Sequence, residues 1–116
     1  MPNTNLPDFK QGDDKEYNLF FKRANGDAID ITGWTIWLTF KENINDLDSQ
    51  AVIQKKITQH INPTQGESSV HLSGSDTTTL LGRYFYDVQV KLINGYIKTV
   101  ATGFVVVVQE VTDTKL

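Results

Sequence analysis

Apolar and polar residues alternate with period two along most of the chain, the pattern of strands that bury one face. Between Glu16 and Lys22, Tyr17, Leu19 and Phe21 fall on one side and Phe20 on the other. From Trp34 to Lys41 the alternation is cleaner, with Trp34, Ile36, Leu38 and Phe40 opposing Thr35, Trp37, Thr39 and Lys41. From Arg83 to Ile93, Tyr84, Tyr86, Val88, Val90 and Leu92 oppose Phe85, Asp87, Gln89 and Lys91. Shorter extended pieces are expected at Ala28–Thr32, Ala51–Gln59 and Ser69–Leu72. Asn94-Gly95 takes positive φ cheaply and predicts a hairpin into a return strand over Tyr96–Gln109. A kink is expected there near Ala101-Thr102-Gly103, since an interior glycine often marks a bulge.

Polar stretches separate these pieces. Arg23–Asp27 and His60–Ser68 read as turns, and Glu42–Gln50 as an acidic loop. Ser73–Gly82 is the one plausible helical turn, with Ser75 or Asp76 as cap and Gly82 as its end. Seven to eight short strands with turns at about ten-residue spacing predict an all-β, antiparallel β-sandwich with one short helical turn. The expected core is Tyr17, Leu19, Trp34, Ile36, Leu38, Phe40, Val70, Leu72, Tyr84, Tyr86, Val88, Val90 and alternate valines of Val105–Val108. The expected organisation is a flexible N-terminal segment at 1–7, one domain at 8–110 and a C-terminal tail at 111–116.

Length and composition narrow the picture. The chain has 116 residues, enough for one core, and no cysteine. Disulfides, thiolate metal sites and cysteine nucleophiles are therefore out, and the apolar core must hold the fold. Eleven Lys and Arg against 14 Asp and Glu give a net charge of −3. That balance argues against non-specific nucleic-acid binding and against adsorption to anionic lipid. The longest strictly apolar run, Phe104–Val108, is too short for a membrane-spanning helix. No signal-peptide pattern opens the sequence, so a soluble protein made in the cytoplasm is expected.

Chemistry is sparse. His60 and His71 are expected at the surface, with Glu67 the only acid near them. Asp46 and Asp48 begin like a calcium loop, but the glycine and distal glutamate of that motif are missing. Ser68 and Ser69 lack a nucleophile-elbow context, and no glycine-rich phosphate loop follows a strand. Asp87 lies among aromatics and is expected to pair with a Lys or Arg on the outer sheet face. No catalytic, cofactor-binding or metal residue is assigned. Five residues are candidates for interaction: Trp37, Phe85, Phe104, Val106 and Val108. Trp37 is either a partly covered outer-face aromatic or a contact for a partner. The outer side of Phe104–Val108 is either covered by a loop of the same chain or buried against another subunit. Exposed aromatics at Trp37, Phe85 and Tyr96 would equally suit a carbohydrate-binding module.

Four stretches bring a family into view. They are Gly12-Asp13-Asp14-Lys15-Glu16-Tyr17, Ile29-Asp30-Ile31-Thr32-Gly33-Trp34, Leu81-Gly82-Arg83-Tyr84-Phe85-Tyr86-Asp87-Val88 and Gly95-Tyr96-Ile97-Lys98-Thr99-Val100. They resemble the small immunoglobulin-like β-sandwich proteins of tailed bacteriophages and prophages, in particular the N-terminal domain of the baseplate upper protein. The resemblance covers about residues 9–109. It implies an immunoglobulin-like fold and a non-catalytic structural role in the virion, in the tail or baseplate or another component. Implied partners are other phage structural proteins and further copies of the chain as a homo-oligomer, without nucleic acid, membrane or cofactor. Assembly in the host bacterial cytoplasm would follow. The alternative is a module that recognises a host-surface glycan.

Overall fold

The computed structural model describes residues 6–109, and among them seven strands carry the fold. They are β1 (Phe9–Lys10), β2 (Lys15–Phe20), β3 (Thr35–Lys41), β4 (Ile53–Ile57), β5 (Glu67–Leu72), β6 (Gly82–Lys91) and β7 (Ile97–Val108). One α-helical turn, α1, spans Gly74–Thr77, and two 3-10 turns, at Asp48–Gln50 and Pro63–Gln65, join the one that the sequence predicts. The fold is all-β. Five strands form one sheet in the order β1-β7-β6-β3-β4, and β2 pairs with β5 in a second.

The longest pairings are the ones that alternation foretells. In β3 and β6, Ile36 lies opposite Val90, Leu38 opposite Val88 and Phe40 opposite Tyr86. These side chains and Val105 and Val107 of β7 line the inner face of the large sheet. Tyr17, Val70 and Leu72 of the small sheet join them in a single buried cluster. Two expected core residues, Leu19 and Trp34, are only half-buried, because they sit where the small sheet ends. Phe9, Ile31, Ile53 and Leu80 are buried instead. They occupy short or irregular segments that carry no periodic signal.

Strict antiparallel pairing fails at one place. β1 runs parallel to β7, with Phe9 opposite Val107. The chain reaches this edge at Leu6, whose N–H donates to the Phe104 carbonyl at 3.1 Å. Leu6, within the segment expected to be flexible, packs on the core. The rest of that segment, Met1–Asn5, and the tail at 111–116 lie outside the described residues.

Local chemistry explains the turns. The cap of α1 is Ser73 rather than Ser75 or Asp76. The Asp76 N–H donates to Ser73 Oγ at 3.2 Å, and the Ser73 N–H donates to Asp76 Oδ2 at 2.9 Å. That reciprocal box satisfies two amides of the first turn. Gly82 does not end the helix; it opens β6. The bulge in β7 falls one residue before the expected kink. Val88 faces Ala101 and Gln89 faces Thr99, so Val100 is the extra residue.

Candidate interaction surface

The outer face of the large sheet brings three of the five candidates together. Phe85 and Phe104 are direct cross-strand neighbours, and Arg83 lies opposite Val106. The Arg83 guanidinium sits 5.6 Å from the centroid of the Phe85 ring and 5.1 Å from that of Phe104. It lies across both aromatics as a cation–π cover, which leaves them half-buried. Inward Val105 and Val107 and outward Phe104, Val106 and Val108 account for the apolar run. Part of its aromatic cover comes from Arg83 of the neighbouring strand. Val108, at the end of β7, is 44% exposed. Trp37 stands apart on β3, between Lys56 of β4 and Gln89 of β6.

Beside Trp37 lies a shallow depression of about 350 Å³, lined with Thr39, Lys41, Asp48, Gln54, Asp87, Gln89 and Ile97. The Gln54 amide donates to Thr39 Oγ1 at 3.3 Å, and the Gln89 amide donates to Thr99 Oγ1 at 3.3 Å. Lys41 forms its ion pair with Asp48 at 2.9 Å. Among the described residues no ion pair involves Asp87; the Gln89 amide donates to its Oδ2 at 3.5 Å, and Lys41 acts on it through space. Burial pushes the Asp87 carboxyl above the usual carboxylate range, and the charge of Lys41 opposes that rise.

Sequence reasoning missed two further features. The first is the tip of the β6–β7 hairpin, where Ile93, Tyr96 and Ile97 are 80%, 67% and 60% exposed. The turn itself is tightly held, with the Leu92 N–H donating to the Tyr96 carbonyl at 2.8 Å. Tyr96 alone had been singled out, as an aromatic; its isoleucine neighbours carry no motif. The second is a groove of about 620 Å³ between the sheets. The small sheet has only two strands, so β6 and β7 extend past it. Val88, Val90, Val100 and Ala101 form the floor, while Leu19, Phe21, Ile29 and Trp34 form the wall. Phe21 and Trp34 meet edge to face at 5.5 Å.

The histidines divide. His71 is exposed, as expected, but His60 is a half-buried strut rather than a surface residue. Its Nδ1 lies 2.9 Å from Ser68 Oγ and its Nε2 2.8 Å from the Trp34 carbonyl oxygen. Among the described residues, no group of three or more His, Asp or Glu is placed to hold a metal ion. No helix among them is long and apolar enough to cross a membrane. The arrangement offers apolar contact area, a polar depression and an open groove. No family model matches the chain, and no curated protein matches it.

Proposed function

We propose that the chain is a non-catalytic assembly module of a tailed bacteriophage or prophage particle, built as an immunoglobulin-like sandwich and acting through protein–protein contacts. The strand order, with β1 parallel to β7 and β2-β5 on the opposite layer, supports the immunoglobulin-like assignment. The resemblance described above supports the phage setting. The observation that carries the assembly role is the cluster of exposed large apolar side chains on the β6–β7 hairpin, continuous through Ile97 with Trp37. Apolar patches of this kind mark contact surfaces in soluble proteins. The partners are further copies of the chain and other particle proteins, and the site of action is the virion.

Sedimentation velocity over a range of concentrations tests this reading. The native chain should form a discrete oligomer, and Ile97→Lys and Trp37→Lys should each weaken it. Ile97 is exposed, so Ile97→Lys leaves the core intact. A native chain that stays monomeric at high concentration, or variants that assemble as the native chain does, would contradict it.

The depression beside Trp37 favours a second reading. An indole next to two carboxylates and two carboxamides is a side-chain set that can stack on and hydrogen-bond a sugar ring. A glycan-binding module would show a sugar-dependent rise in melting temperature that Trp37→Ala abolishes.

A further inference from the structure

The groove between the sheets goes beyond the outer-face contacts, because it adds an open strand edge. Both backbone groups of Phe21 point toward the β5 side: its N–H donates to Gly66 at 2.9 Å and its carbonyl accepts from Ile29 at 3.0 Å. In an antiparallel strand the next residues point the opposite way. The amides and carbonyls of Asn18, Phe20 and Lys22 therefore face the groove, which all three residues line. Among the described residues no strand pairs with this edge of β2. Phe20, on the same edge, is 60% exposed.

Charge narrows the occupant. Among the described residues, Lys22 and Lys98 are the charged side chains lining the groove, in a chain of net charge −3. The local field is thus opposite in sign to that of the whole molecule. The floor beneath this edge is apolar, with Val88, Val90, Val100 and Ala101 facing it.

We propose that this groove accepts an extended segment of another protein, which adds to the free edge of β2 as a third strand of the small sheet. The segment carries apolar residues at alternate positions, facing Val88, Val100 and Trp34, and a carboxylate that meets Lys22 or Lys98. Its main chain bonds to Asn18, Phe20 and Lys22, the recognition mode of strand addition. An edge from Asn18 to Lys22 accommodates a segment of about five residues at about 3.3 Å each. This site is separate from the outer face, so its test can fail while the sedimentation result stands.

A display library of random nonapeptides, panned against the full chain, tests the proposal. The enriched peptides should be apolar at every second position and should carry Asp or Glu. A synthetic peptide of the enriched sequence should shift the backbone amide resonances of Asn18, Phe20 and Lys22. N-methylation of the peptide's alternate amides should abolish binding. Lys22→Glu with Lys98→Glu should weaken it at least about tenfold and turn the same library's selection toward basic peptides. Both lysines are exposed, so the double variant keeps the core, and its circular dichroism should match the native spectrum. The proposal is overturned by no enrichment, by enriched peptides without alternation, by shifts confined to the outer face, or by affinity indifferent to the two reversals. Occupancy of the groove by decanoate but by no peptide would also overturn it and mark an amphiphile site instead.

Discussion

Both ring nitrogens of His60 are engaged, and this fixes its role. A carbonyl oxygen only accepts, so Nε2 donates to Trp34, and in the neutral ring Nδ1 accepts from the Ser68 hydroxyl. Ser68 is fully buried. His60→Ala should therefore lower stability by about 1–3 kcal/mol, read as a lower urea midpoint, because it strands two polar groups. Tyr17 is the opposite case: its buried hydroxyl has no hydrogen-bond partner among the described residues. Burial first, and the neighbouring Tyr86 second, push its phenol up to about 12 from 10.0. Between these values the unfolded chain has released the proton and the folded chain still holds it, so stability falls as pH rises. Tyr17→Phe should match or exceed native stability at neutral pH, by up to about 1 kcal/mol, and should lose less of it in alkali. Denaturant melts at pH 8 and 11 would show this, and a clear loss at pH 8 would place a partner on the hydroxyl. Neither role is legible in the sequence. His60 reaches Trp34 across 26 positions, a contact that no local pattern encodes.

Elements were legible where alternation was long. β3 and β6 follow from the side-chain pattern, and β7 follows as the return strand of the Asn94-Gly95 turn, with Gly95 at φ +90°. β1 was not legible: it has two residues, too few to show a period, and its partner lies almost a hundred positions away at Val107 and Val108. The cap of α1 was misplaced because Ser73, Ser75 and Asp76 are all good capping residues, and only backbone geometry chooses among them. The entry to β5 shows a constraint that a turn signal alone understates. Gly66 has φ +72°, and a Cβ there would lie 2.5 Å from the Phe21 carbonyl and 2.8 Å from that of Ile29. Both are main-chain atoms held by the β2 end, so neither can yield cheaply. Gly66→Ala should cost at least about 2 kcal/mol, from left-handed strain and the clash together. A melting temperature equal to the native value would show that the β2–β5 end is far more pliant than its hydrogen bonds imply.

At the scale of the molecule, the all-β architecture and most of the core were legible, and the surfaces were legible in part. Phe85, Phe104 and Val106 lie on one face, as their alternation requires, but the cover that Arg83 provides depends on strand register. The groove depends on how far the large sheet projects past the small one, a quantity set by the offset of two layers and by no single segment. The described residues form a domain with exposed apolar side chains at its hairpin end, an aromatic outer face and an open edge of β2 beside an apolar groove. The most direct test of the proposed role is quantitative mass spectrometry of phage particles purified from the source strain, counted against the major tail and capsid proteins. An assembly module should be present at a fixed ratio to those proteins, preparation after preparation. Its absence from intact, purified particles would contradict the assembly role.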